Sequence, residues 1–465
     1  MWTAGWSTTA NTHQCFGIAA YNLALDCMAD DLIMQSQGNG WFWGDHCYNV
    51  KSNYTSSAFR SYDVWYANYK WIANVNYIID AEPEMAGTEA DVAYVAGQAY
   101  AIRALCYLNL ATWFSRAPYN SLTGASRWNE PCVPVYTTGT SIDTGGQPRE
   151  SLRTVYGRID QDIDRAIELL EKARETTLAE NNKSHINLYV ALGIKSRACL
   201  AEGDWDGAFK AAKRVIDEGG YAVGTKSDLT GGMNSLDKQN VMWGAGIQVA
   251  DQAGGYAGFF THMDNKEGAY AKSAPKLISK QLYNRISATD IRRDWWDPSD
   301  KESPYVSKKF SFANVASFLG DYIYMRVEEM YFTAAEAALR LDDLKSAREL
   351  MNTVMAERDP GYSANNRSGT LLGATTTTWT GSFLENILTH RRIELWGEYG
   401  RLFDVRRLGQ GIDRRTDDGF SEECISMMNR RNVNITKADT YDWVLTIPKA
   451  ELDANPNINE EDQNP

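Results

Sequence analysis

From Val327 the apolar residues recur at Val327, Met330, Tyr331, Ala334 and Ala338, the three-and-four spacing of a helix that buries one face. After Asp342-Asp343 a second run places Ala347, Leu350, Met351 and Val354 at the same spacing, so the two segments read as an antiparallel helical hairpin. An earlier stretch has the same form: Leu188, Ala191, Leu192, Lys195 and Cys199 share a face, and Gly203-Asp204 interrupts the run. Trp205, Ala208, Ala212, Val215 and Ile216 then resume it. One constant shift lays the two hairpins on each other, with Ala198 on Ala337, Leu200 on Leu339, Ala208 on Ala347 and Val215 on Val354.

This alternation of small and large residues is that of tetratricopeptide-like helix pairs. Two further pairs are predicted. One joins Tyr94–Trp113 to Val155–Ala173 across a loop holding Pro118, Pro131, Pro134 and Pro148; the other combines Phe383–Trp396 with the segment C-terminal to it. The predicted fold is mainly α, a single domain over 1–465, with helix pairs forming a scaffold at about 60–215 and 320–410. A little β is expected at Val241–Gln248. The segments Gly38–Thr55, Arg116–Glu150, Gly219–Trp296 and Asp359–Thr380 are long, irregular and rich in Gly, Thr, Asn and aromatics. Loops of this kind on a rigid scaffold carry binding, which places the ligand-binding parts at about 35–57 and 219–300.

A net charge of −13 over 465 residues excludes nucleic acid and an anionic membrane surface as partners, because both demand a basic patch. No apolar run reaches the ~20 residues of a membrane-spanning helix. The seven cysteines form no CxxC pair and the five histidines no HxxxH or HExxH pattern, so neither a metal nor any cofactor is predicted. Glycine-rich Gly244–Gly258 lacks the Lys-Ser/Thr of a phosphate loop. Carboxylate pairs of the kind glycosidase chemistry needs occur at Asp30-Asp31, Asp294/Asp297 and Glu394/Glu398. The last lies among arginines that hold both acids ionised, and no catalytic residue is predicted.

Recognition is a better match to the composition, with 15 Trp and 25 Tyr. GNGWFWGDHCYN, Gly38–Asn49, mixes aromatic faces with glycines and polar groups, and reads as a loop. Binding a sugar requires an aromatic plane against the C–H face of a pyranose and planar polar groups for its hydroxyls. Trp41, Trp43 and Tyr48 supply planes; Asp45, His46, Asn49 and Asn53 supply donors and acceptors. Tyr256, His262 and Asn265 are a second candidate group in the later loop, whereas Trp65, Tyr69 and Trp71 fall within a helix and read as packing residues.

Three stretches carry a resemblance: RVEEMYFTAAEAAL (Arg326–Leu339), HRRIELWGEYGRLFDVRRLG (His390–Gly409) and LTIPKAELDANPNINEEDQNP (Leu445–Pro465). In this order they resemble the C-terminal signatures of the SusD/RagB family. WYANYKWIANVNYII (Trp65–Ile79) and GQAYAIRALCYLNLATWFSRAPY (Gly97–Tyr119) are similar to its earlier helices. The chain departs from the family at His390, where Glu is usual, and at Tyr399, where Gly is usual.

The resemblance implies a surface lipoprotein of the Bacteroidetes outer membrane that takes part in nutrient uptake and polysaccharide utilisation. It would bind a glycan and cap a SusC-like TonB-dependent transporter, touching the membrane only through an N-terminal lipid on a cysteine ahead of this chain. It also implies that the loop after the first helix contributes to the ligand platform, and that the C-terminal charges hold helices together. Arg391, Arg392 and Arg401 are accordingly expected to pair with Glu329, Glu336 or Glu398. A peptide-binding member of the same family, or a tetratricopeptide-like adaptor, are the alternatives.

Overall fold

The computed structural model describes residues 3–4, 12–48, 59–176, 178, 182–249, 257–438 and 440–465. The chain begins with α1 (Ile18–Met28), strand β1 (Leu32–Met34) and the single turn α2 (Trp43–His46). Five helices of the scaffold follow: α3 (Phe59–Ala81), α4 (Glu89–Phe114), α5 (Leu152–Lys172), α6 (Leu188–Glu202) and α7 (Trp205–Glu218). Short elements then alternate through α8 (Lys226–Leu229), β2 (Val241–Ala245), α9 (Phe259–Met263), α10 (Ala269–Ser273), β3 (Lys276–Ile278) and α11 (Lys280–Tyr283). Strands β4 (Trp296–Asp297), β5 (Val306–Ser307) and β6 (Tyr322–Arg326) lead into α12 (Val327–Arg340) and α13 (Leu344–Ala356). The chain closes with α14 (Phe383–Glu394), α15 (Arg401–Leu408), α16 (Glu422–Arg430) and α17 (Lys449–Ala454).

The predicted hairpins form where the apolar spacing puts them. Asn187 caps α6 through the N–H groups of Tyr189 and Val190, and Asp204 caps α7 through Gly207 N–H. Between them Gly203 ends α6 at a φ of 76°, a left-handed conformation that side chains resist. Each helix packs on the next from α3 to α7; α7 then packs on α12, and α12 on α13 and α14. The stack therefore crosses from residue 218 to residue 327. Antiparallel pairing of β2 with β6 fastens that crossing, since β6 runs straight into α12. A second small sheet, in the order β1-β3-β5-β4, ties the chain's start to its middle.

The fourth expected pair does not form as predicted. α14 lies on α12, whereas α15 turns away to pack on α1 and α6. The start of α15 is anchored to α1 and the residues after it: Asp26 Oδ1 accepts the Arg401 N–H (2.5 Å), and Asp30 accepts from Arg401 Nε (3.0 Å).

The C-terminal charges do hold helices together, with partners other than those expected. Arg392 donates to Asp31 and Asp30 (2.5 and 2.9 Å), and Arg391 pairs with Asp404 at 2.8 Å. Glu329 is clamped by Arg197 (2.7 Å), and Glu336 by Arg407 (2.7 Å). Of the predicted pairings, only Arg391 with Glu329 is present, at 3.9 Å. Both departures from the family pattern are built into this network. His390 Nδ1 accepts from Arg292 Nη2 (2.9 Å), and the Tyr399 ring lies under the Arg197 and Arg391 guanidiniums, each 4.7 Å from its centroid.

Candidate functional site

The loop after β1 turns on Gly38 and Gly40, at φ of 53° and 87°. At Gly38 a side chain is excluded a second way, because a Cβ would stand 2.5 Å from Ser273 O and 2.7 Å from Ala274 Cβ. The loop is thus pressed onto the end of α10. Trp41 follows, half-buried, its indole stacked on the His13 ring with centroids 4.6 Å apart and planes 2° from parallel. Tyr270 tilts against it at 6.0 Å, and its hydroxyl hydrogen-bonds His13 Nδ1, so the three rings fix one another. Gln35, Gln37 and Asn39 are exposed just ahead of Trp41.

At Phe42 the chain turns inward with a φ of 60°, its N–H donating to Gln14 Oε1 (2.7 Å). Trp43, Asp45, His46 and Tyr48, expected on the ligand surface, are buried instead. The reason is that their polar atoms have partners inside. Asp45 takes a two-pronged ion pair from Arg60 (2.8 Å to each oxygen), and His46 Nδ1–H donates to Cys27 O (3.0 Å). The Tyr48 hydroxyl donates to Met28 O (2.7 Å). Trp43 tilts against His46, whose ring stacks on Phe420 at 5.7 Å.

The second predicted group divides the same way. His262 is fully buried between Phe16, Phe42 and Tyr270, and donates from Nε2 to His13 O (2.7 Å). Asn265 is a clamp in the small sheet: its Nδ2 donates to Ser307 O (2.8 Å) and its Oδ1 accepts from Lys276 N (2.9 Å). Asn49, Asn53 and Tyr256 lie outside the described residues. His13 and Tyr270 were not foreseen, because an isolated His and an isolated Tyr in irregular segments carry no periodic signal. Their significance comes from the contact with Trp41.

Burial, and then the nearby Lys276 ammonium, lower the His262 imidazole from 6.5 to about 3, so it is neutral in the folded protein. The unfolded chain takes up a proton below about pH 6.5 that the folded chain refuses, so this group's contribution to stability falls as pH drops from there toward 3. Between pH 7 and 4 the wild type should lose on the order of 3 kcal/mol more than His262→Phe. Parallel unfolding curves for the two proteins over that range would contradict the burial.

Among the described residues no cluster of His, Cys, Asp and Glu is placed to hold a metal ion, and no helix is long and apolar enough to cross a membrane.

Two family models match the chain: the SusD family over residues 268–465, and "Starch-binding associating with outer membrane", a SusD-like model, over residues 17–200. No curated protein matches it. Among solved structures, a SusD-like carbohydrate binding protein from Bacteroides vulgatus is 25% identical with a TM-score of 0.76, over 97% of this chain and 94% of its own. A SusD superfamily protein from Bacteroides thetaiotaomicron has 23% identity and a TM-score of 0.76, covering 96% and 94%. A laminarin-binding SusD-like protein has 18% identity and a TM-score of 0.67, covering 97% and 95%. Two models that leave only 1–16 and 201–267 unmatched, three ordered signatures and a shared architecture along nearly the whole length agree: this chain belongs to the SusD/RagB family.

Proposed function

We propose that this protein is a cell-surface binder of oligo- or polysaccharides that delivers its ligand to a partner SusC-like TonB-dependent transporter, with the corner around Trp41 as its ligand surface. One observation carries the choice of corner. Residues far apart in sequence, His13, Trp41 and Tyr270, converge into one locked aromatic stack beside the exposed amides of Gln35, Gln37 and Asn39. A fixed indole offers its face to a pyranose, and side-chain amides exchange paired hydrogen bonds with hydroxyls.

The carbohydrate-binding names of the relatives support the ligand class, and the matched model named for association with the outer membrane supports the location. The protein binds and does no chemistry in this reading. Against the cost of burial, Arg358 and Arg326 hold Glu394 well below the ordinary carboxylate range and Arg326 and Lys309 lower Glu398, so neither has a proton to donate at neutral pH.

Retention on a panel of polysaccharides in affinity gels identifies the ligand. Trp41→Ala should then weaken calorimetric binding by about tenfold or more while the melting temperature stays within a few degrees. Retention on no polysaccharide, together with binding of peptides, would make the protein a peptide-binding member instead. Co-purification with the co-expressed transporter tests the delivery step.

A further inference from the structure

A second cleft, which shares no lining residue with the Trp41 corner, lies between α3, the segment after Val133 and α17. Its volume is about 250 Å³, and its walls are Trp65, Tyr66, Tyr69, Tyr136 and Glu451. The rings are fixed. Trp65 and Tyr69 meet at 4.9 Å, Tyr69 and Tyr136 stand edge to face at 5.8 Å, and Tyr62 stacks behind Tyr66 at 4.3 Å. The Tyr69 hydroxyl donates to Pro134 O (2.8 Å) and the Tyr136 hydroxyl accepts from Gln147 N (3.0 Å), which leaves both rings no freedom to collapse into the space. Thr140, Ser141 and Thr144 form a rim of hydroxyls at the mouth.

Glu451 is the one charged side chain lining the cleft among the described residues. Its Oε2 accepts from Trp65 Nε1 (3.2 Å) and its Oε1 from Asn455 Nδ2 (2.9 Å); among the described residues no Lys or Arg pairs with it. Each oxygen keeps a further lone pair. A half-buried carboxylate, oriented by two neutral donors and walled by aromatic faces, attracts an ammonium group through both its own charge and the electron-rich rings. A neutral sugar would gain the stacking and leave the charge uncompensated.

We propose that this cleft is a second carbohydrate subsite, selective for a sugar unit carrying a free, protonated amino group, which pairs with Glu451 while its ring lies against Tyr66, Tyr69 and Tyr136. The proposal rests on the glycan-binding reading and deepens it, because it names a ligand class: cationic, amino-sugar-containing glycans, which also suit a chain of net charge −13. The hydroxyl rim and a volume of about 250 Å³ favour a sugar over a lysine side chain.

Calorimetric titration of the full chain with a β-1,4-linked glucosamine oligomer and with its fully N-acetylated counterpart tests this. The free amine should bind at least about tenfold more tightly, with the gap shrinking in high salt. Glu451→Gln should remove that preference without a change in melting temperature, and Ser141→Lys, which sets a cation at the exposed mouth, should do the same by competition. Equal affinities for the two oligomers, or unchanged preference in both variants, overturns the proposal. So does loss of amino-sugar binding in Trp41→Ala, which would put the sugar at the other corner, or displacement of the sugar by a lysine-rich peptide at lower concentration. If the amino sugar does not bind while a neutral polysaccharide still binds through Trp41, the cleft proposal alone fails; binding of no glycan at all overturns the glycan reading itself.

Discussion

Glu394→Ala is expected to cost on the order of 4 kcal/mol, enough to leave the protein unfolded or insoluble at ordinary temperature. Glu394 ends α14 in complete burial and accepts from three arginines: Arg358 (2.9 Å from Nε and from Nη2), Arg326 (3.0 Å) and Arg292 (3.1 Å). Lys309 and Arg326 also hold Glu398 (2.5 and 2.7 Å), Glu328 bridges Arg358 and Arg326 (2.8 and 3.1 Å), and Asp290 pairs with Arg292 (2.6 Å). Arg292, Lys309, Arg326 and Arg358 are thus balanced by Asp290, Glu328, Glu394 and Glu398. Removing one carboxylate leaves an unmatched positive charge where water cannot reach it, and that penalty exceeds the worth of any single pair. Glu394→Gln preserves the shape and should recover only part of the loss, because the missing quantity is charge. Chemical denaturation measures all three proteins; a loss below about 1 kcal/mol for the alanine variant would mean that solvent reaches the cluster.

Trp43→Ala should cost about 3–5 kcal/mol, the range for truncating a large aromatic side chain in a packed interior, and should change glycan affinity only as far as it unfolds the protein. Its neighbour Trp41 is expected to do the opposite. The two indoles lie on either side of Phe42, where the left-handed backbone turns one outward and the next inward. Trp43 Nε1–H finds no acceptor among the described residues, so Trp43→Phe, which removes an unsatisfied donor and keeps a ring, should retain most of the stability. Melting curves beside calorimetric titrations separate the cases. A Trp43→Ala protein that melts like the wild type and has lost its glycan would return Trp43 to the ligand surface.

The aromatic loop marks a boundary in what local sequence can say. Residue types along GNGWFWGDHCYN suit a sugar, and the expectation of a loop is correct up to Trp41. Nothing local says that Arg60, one helix later, claims Asp45, or that Cys27 and Met28 accept from His46 and Tyr48. A polar group binds a ligand only if no interior partner reaches it first, and interior partners come from other elements. Trp65 and Tyr69 show the converse. They read as packing residues because they are helical, yet packing leaves them walling a cleft once the segment at Tyr136 and Glu451 of α17 close around them.

The chain by itself determined the helices and three of the four expected hairpins. Apolar spacing, caps at Asn187 and Asp204 and the glycine at 203 act within one or two turns, so the segments 188–218 and 327–356 carry their own instructions. Family membership was equally legible, since its signatures are contiguous stretches. Tertiary structure alone decided which charges pair and which surfaces face water. Arg392 and Asp31 lie 361 positions apart in the chain, and either could be satisfied by several groups of the right sign. Coulomb attraction carries no address, so the choice falls to whichever partner the packed helices bring within hydrogen-bonding reach.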